Sequence, residues 1–197
     1  RPMRIGLISD TRIPGIAKEV PPEVIRAFDG VDLILHSGGI QTASVLDWLE
    51  QIAPVKAVGR VQGRQYESTI PLALQNADDP WVAQLQILQL EGHTIGMVNS
   101  LDLDPLNDDV IPGIIARKSF PKQAVSSMVE SVFSTHVDIV VFGRTLEAMI
   151  EEHDGILFVN PGSPTIPRNI MKLGQVAILD LTSESREARI IDLATLD

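Results

Sequence analysis

No cysteine occurs in the 197 residues. Disulfides and thiolate metal sites are therefore excluded, and the redox character of the compartment is left open. Basic residues are in deficit, 16 against 26 acidic ones, for a formal net charge of -10. That balance argues against general binding to nucleic acid or to an anionic membrane surface, while leaving room for a local basic pocket. No apolar run approaches the ~20 residues of a membrane-spanning helix. Arg1-Pro2-Met3-Arg4 leads into the first apolar run without the pattern of a secretory leader, so the expected compartment is the cytoplasm. Internal repeats and low-complexity segments are also missing. The glycine-rich turns are not followed by a Walker or dinucleotide fingerprint, which leaves nucleotide-hydrolase and dehydrogenase readings without support. The acidic cluster Asp102, Asp104, Asp108 and Asp109 lacks EF-hand spacing and reads as a solvated face.

What is present is a hydrophobic content of 44%, enough for one domain over residues 1–197 with a substantial core. Ile5-Gly6-Leu7-Ile8 runs into Ser9-Asp10-Thr11-Arg12, and the pattern breaks at Pro14 and Gly15. A buried parallel strand ending in a polar loop reads this way, and in open α/β sheets ligands sit at the carboxyl ends of strands. Asp10 is thus the first candidate site residue.

The first half alternates strands and helices. Pro21 and Pro22 open a helix with Val24, Ile25 and Phe28 on its inner face, ended by Asp29-Gly30. Val31 to His36 is a second apolar run, closed by Ser37-Gly38-Gly39. Thr42 or Ser44 caps a second helix with Val45, Leu46, Leu49 and Ile52 inward, and Val55 to Val58 is a third strand ending at Gly59-Arg60. This βαβαβ order predicts a parallel sheet. The second half reads as hairpins. Leu85 to Leu90 and Thr94 to Val98 flank Glu91-Gly92-His93, and Met149 to His153 and Ile156 to Val159 flank Asp154-Gly155. Between them, Asn99 to Pro121 reads as a long ordered loop or short irregular helix on the surface. Pro121 to Ser134 reads as a helix with Ala124, Val125, Met128, Val132 and Phe133 inward, and Asp138 to Phe142 as a buried strand. Asn160-Pro161-Gly162-Ser163-Pro164 is a fixed loop, and Gln175 to Asp180 with Ala188 to Asp192 is a closing hairpin. The fold class is mixed α/β.

This order of elements resembles the calcineurin-like metallophosphoesterase superfamily, within it the compact bacterial and archaeal phosphodiesterases whose fold the retromer subunit Vps29 shares. The resemblance rests on Ile8-Ser9-Asp10-Thr11, Val31 to Gly38, Asp138 to Gly143 with Thr145, and Val159 to Pro164. It implies a two-sheet β-sandwich flanked by helices. It also implies two divalent cations, held by Asp-x-His after the first strand, Gly-Asp after the second, Gly-Asn after the third, and two later His-bearing loops. Such a pair activates water and grips phosphate oxygens.

This chain departs from that ligand set. Asp10 stands at the first position, but Arg12 replaces its histidine partner. Gly38-Gly39 lacks the bridging carboxylate, Gly59-Arg60 has arginine for the amide ligand, Val98-Asn99-Ser100 has no histidine, and Gly143-Arg144-Thr145-Leu146 has arginine for the last one. A guanidinium has no lone pair to give a metal, and three of them repel a dication. His36, His93, His136 and His153 read as structural or solvated imidazoles.

The expectation is a phosphoesterase fold without its dinuclear centre and with no cofactor. Arg12, Arg60 and Arg144, with Asn99 and backbone amides at Gly39 and Ser163, would hold a phosphate-bearing, nucleotide-like or other anionic ligand. The same arginines can instead pair with Asp10 and fill the emptied cavity, and both can hold together. A residual phosphoesterase using manganese or another divalent metal on Asp10 and Asn99 is the alternative chemistry. A protein-interaction scaffold is the alternative class, with Trp48, Trp81 and the loop Asp109 to Ile115 as surface features and a homodimer through that loop as its simplest form.

Overall fold

A computed structural model describes residues 1–59, 61–62, 82–165 and 173–196, without the side chains of Gln62 and Val82. Strand β1 (Met3–Ile8) lies at the centre of a six-stranded sheet, antiparallel to β12 (Gln175–Leu181) on one side and parallel to β2 (Leu33–His36) on the other. Beyond β2 come β4 (Val55–Val58) and β6 (Val82–Ala83), and beyond β12 comes β13 (Arg186–Asp192). A second sheet runs β10 (Met149–His153), β11 (Ile156–Asn160), β9 (Ile139–Val141), β8 (His93–Val98), β7 (Leu85–Leu90). The short strands β3 (Gln41–Thr42) and β5 (Val61–Gln62) pair with each other in parallel.

Alternation along each strand builds three apolar layers. Ile5, Leu7, Leu35, Ile95, Met97, Ile139, Val141, Val159, Ala177 and Leu179 meet between the sheets. Ile34, Val176 and Ile178 face helices α1 (Glu23–Ala27) and α2 (Ser44–Glu50). Val140, Phe142 and Phe158 face α4 (Ala124–Phe133) and the loop before it, which carries the short helix α3 (Ile114–Lys118). The two outer layers are seated in the same way. A Cβ at Gly6 would fall 2.9 Å from the Phe28 ring, and one at Gly96 would fall 2.7 Å from the Phe133 ring. A missing side chain on each sheet makes room for one phenylalanine. The two-sheet sandwich flanked by helices is thus the observed fold.

Several local expectations need correction. Ile25 is 51% exposed, because α1 is a single five-residue turn that buries only Val24, with Phe28 just after it. Ala43, not Thr42 or Ser44, is the N-cap of α2 and makes no side-chain cap, since the two hydroxyls bond each other at 3.3 Å. The 99–121 segment carries the short helix α3 and exposed aspartates, as expected, but it is not surface throughout: Leu101, Leu103, Leu106, Val110 and Ile115 are buried in the core cluster that includes α4. Ile111 and Ile114 are half-buried, and Ile114 packs against the α4 core cluster. Trp48 is half-buried against the α2 layer, and Trp81 lies outside the described residues. No helix among the described residues is long and apolar enough to cross a membrane.

Candidate functional site

The carboxyl ends of β1, β2, β4, β8, β9 and β11 all open toward one place, where loops from the two sheets are cross-tied. Ser37 donates its hydroxyl to Phe142 O at 3.1 Å, Asn99 donates its amide to Ser37 O at 2.8 Å, and the Gly143 N–H donates to Asn99 O at 3.0 Å. Backbone in the left-handed region clusters at these ends: Asp10 (φ 52°), Arg12 (48°), Arg144 (66°) and Leu146 (64°), with Gly38 (101°), Gly39 (69°) and Gly59 (104°). Non-glycine residues there cost energy and persist where surrounding bonds over-determine them, as they do here.

Asp10 is the centre of the cluster and is 1% exposed. Its Oδ2 accepts from the Ser9 hydroxyl at 2.7 Å and from the Arg144 N–H at 2.8 Å. Its Oδ1 accepts from Arg12 Nη2 at 3.4 Å, a long single contact. The backbone is pinned as well. The Asp10 N–H donates to Gly38 O at 2.7 Å, and its carbonyl accepts from the Ser163 hydroxyl at 2.8 Å and the Thr165 hydroxyl at 3.4 Å.

The structure therefore brings together Asp10, Arg12, Gly39, Asn99, Arg144 and Ser163, six of the residues singled out from sequence. Arg60 lies outside the described residues. Arg144 does not pair its guanidinium with Asp10: the guanidinium is directed to Ser100 Oγ at 3.0 Å, and the backbone N–H makes the bond to Asp10 instead. Ser163 uses its hydroxyl internally, on Asp10 O. Of the backbone amides at the two glycine turns, Gly38 N–H is spent on His36 Nδ1 at 3.2 Å and Gly162 N–H on Asn160 Oδ1 at 2.9 Å. Gly39 presses on the carboxylate: a Cβ there would sit 2.4 Å from Asp10 Oδ1.

Residues that the sequence did not single out do the positioning. Ser9 and Ser100 hold Asp10 and Arg144. Asn160 Nδ2 donates to Thr145 Oγ1 at 3.0 Å and to Gly143 O at 3.3 Å, and so supports the arginine loop from behind. Thr165 ties Thr11 O at 2.9 Å. Ser9 and Asn160 lie inside the motifs that carry the family resemblance, and Ser100 and Thr165 follow strand ends. His36 is fully buried and its pKa is pushed down to about 3 by that burial. Gly38 N–H can only donate, so Nδ1 accepts, and the neutral ring carries its proton on Nε2, 3.1 Å from Thr11 Oγ1. It is a structural histidine, as expected. His93, with Nε2 2.8 Å from Thr182 O, and His153, with Nε2 2.9 Å from Glu151 Oε1, lie far along the hairpins and have local partners.

The donor set around Asp10 suits anions better than hard cations. Among the described residues no group of three or more histidines and carboxylates is gathered closely enough to hold a metal ion. Asp10 already accepts from a hydroxyl, an amide and a guanidinium, and among the described residues the neighbouring ligand positions carry Gly39, Arg12 and Arg144. A dinuclear divalent centre needs several hard oxygen and nitrogen donors with free lone pairs, and these residues do not supply them. The acidic loop lines a separate cavity of about 480 Å³ with Asp102, Asp104, Asn107, Asp108 and Asp109. All of them are exposed, and Asp108 pairs with Lys118 at 3.1 Å, which fits a solvated face.

Comparison with known proteins places this chain in a family. A probable metallophosphoesterase of Methanothermobacter thermautotrophicus is 28% identical over 189 residues, spanning 96% of this chain and 92% of the relative. A probable metallophosphoesterase of Methanocaldococcus jannaschii is 29% identical over 192 residues, spanning 97% and 82%. Vps29 of Entamoeba histolytica shares the fold with a TM-score of 0.61 at 16% identity, over 96% of this chain and 99% of that one. An archaeal phosphodiesterase shares it with a TM-score of 0.57 at 20% identity, over 96% and 100%. The sequence pattern of the calcineurin-like phosphoesterase superfamily domain runs through residues 3–184, and the chain belongs to that superfamily.

Proposed function

We propose that this member of the superfamily has lost its dinuclear metal centre and uses the vacated strand ends to bind a phosphate-bearing or other anionic ligand. The observation that carries the reading is the exchange of ligand side chains for guanidinium groups around one buried carboxylate. Arg12 is partly exposed and Arg144 is exposed, so both can present N–H forks to an anion. Arg60, which lies outside the described residues, follows Gly59 in the sequence and is the third donor that the sequence pattern suggests. Asn99 stands over Gly38, where a Cβ would fall 2.6 Å from its amide nitrogen, and is the neutral donor of the proposed site. The test is calorimetric titration of methyl phosphate into the protein and into Arg12→Gln/Arg144→Gln. Binding in the parent that is lost in the double variant supports the proposal, and equal affinity in the two refutes it.

A second reading keeps the family's hydrolysis, with manganese on Asp10 and Asn99. It is favoured by the two archaeal relatives, which are named as probable metallophosphoesterases. It predicts manganese-dependent phosphodiester turnover that disappears in Asp10→Ala. The scaffold reading draws on the Vps29 fold alone. It predicts that the double arginine variant leaves every interaction of the protein unchanged.

A further inference from the structure

Asp10 is unusual among the site's groups in being both charged and out of reach of solvent. It is 1% exposed, so solvent barely reaches it. Its position is fixed by its own N–H on Gly38 O, by hydroxyls on its carbonyl, and by two donors on Oδ2. A buried carboxylate of this kind needs a compensating cation. Among the described residues the one that touches it is Arg12, whose side chain is 34% exposed. Arg12 therefore touches Asp10 and still leaves part of its side chain open to solvent, where an anion can meet it. The contact with Asp10 is one long bond at 3.4 Å rather than a fork, so it fixes charge more than orientation.

We infer that Asp10 is a built-in competitor of the pocket: its buried charge engages Arg12 in the resting site and weakens the binding of an anion in proportion to that anion's charge. This rests on the anion-pocket reading above and adds a rule of selectivity to it. An anion on the open part of Arg12 shares one guanidinium with Asp10. Coulomb repulsion between them grows linearly with ligand charge, and salt screens buried charges poorly. The resting site thus discriminates against dianions such as phosphomonoesters and favours monoanions such as phosphodiesters or carboxylates. Removing the Asp10 charge multiplies affinity by one factor for a monoanion and by about the square of it for a dianion in the same place.

The test is calorimetry of dimethyl phosphate and methyl phosphate, at about pH 8 where the monoester is a dianion, with the parent protein and Asp10→Asn. The amide oxygen of the variant can still accept from Ser9 and Arg144, so the pinned loop keeps its bonds while losing its charge. The expected gain is about fivefold for dimethyl phosphate and about 25-fold for methyl phosphate, on a moderate effective dielectric. A gain equal for both ligands, no gain, or a loss in a variant that melts cooperatively overturns the inference and leaves the anion-pocket reading standing. No binding of either ligand by either protein overturns both. Should Asp10→Asn fail to fold, the parent protein still decides. The side-chain carboxyl carbon resonance of Asp10 must shift as methyl phosphate binds, and shift less with dimethyl phosphate. A stationary resonance in a protein that binds both ligands overturns the inference.

Discussion

Lowering the pH below 6.5 should withdraw stability through one residue, His36. The imidazole is fully buried, with Gly38 N–H donating to Nδ1 and Nε2–H donating to Thr11. Its pKa falls from 6.5 to about 3 because burial penalises the charged ring. Between those values the unfolded chain carries a proton on His36 and the folded protein does not. The unfolded state therefore binds more protons, and stability falls as pH falls. The contribution is intact above pH 6.5 and declines by about 1.4 kcal/mol for each pH unit below it. At pH 4.5 the loss is roughly 2–3 kcal/mol, or a drop of about 5–10 °C in Tm for a chain of this size. Protonation would also put a second donor against Gly38 N–H, so the damage falls on the Gly38-Gly39 turn beside Asp10. The assay is urea unfolding at several pH values for the parent and for His36→Asn, whose amide oxygen can replace Nδ1 as acceptor. Asp32 is held below the usual carboxylate range by its bond from Arg1. Asp180 is held low by Arg4 and Arg189 against an opposing effect of burial. Both lose stability in acid too, but equally in parent and variant, so the difference isolates His36. The parent should lose stability more steeply between pH 6.5 and 4.5. Parallel slopes would refute the reasoning.

Three further outcomes follow from close approaches in the structure. Gly143→Ala would place a Cβ 2.0 Å from Ser9 Oγ and 2.8 Å from Asp10 Oδ2, so it should cost about 2–3 kcal/mol in denaturant unfolding and lower phosphate affinity with it. Gly39→Asp restores the family's carboxylate in name only. At φ 69° and 2.4 Å from Asp10 Oδ1 it should lower Tm and yield no manganese binding by calorimetry, and a stable, metal-binding variant would contradict the geometry. Gly6→Ala collides with the Phe28 ring and should cost about 1–3 kcal/mol, most of it recovered in Gly6→Ala/Phe28→Leu.

The sequence revealed the elements whose signals are local. The runs at β1, β2 and β4 are short, apolar and closed by polar loops. The turns Glu91-Gly92 (φ 49° and 82°) and Asp154-Gly155 (50° and 73°) have the left-handed pairs that two-residue hairpins demand. What stayed hidden depends on partners far along the chain. Nothing local marks β12 as the neighbour of β1, or pairs Gln41–Thr42 with Val61–Gln62. Ile25 was misplaced because a helical face is poorly defined over one turn. The 99–121 loop looked like surface because its prolines and aspartates conceal leucines spaced to reach α4. In the site, strand ends identified Asp10, Arg12, Asn99 and Arg144 correctly as neighbours. Which donor each atom meets did not follow. Arg144 meets Asp10 through its backbone N–H, while its guanidinium goes to Ser100. Ser163 was expected to offer its backbone amide, and nothing local announced that its hydroxyl would hold the Asp10 carbonyl.

The proposed loss of the dinuclear centre is tested most directly by titrating manganese into chelator-stripped protein by calorimetry, with phosphodiester turnover followed on the same sample. The account predicts no binding heat attributable to the site and no turnover above that of the Asp10→Ala variant. Stoichiometric manganese binding, accompanied by turnover that Asp10→Ala abolishes, would contradict it.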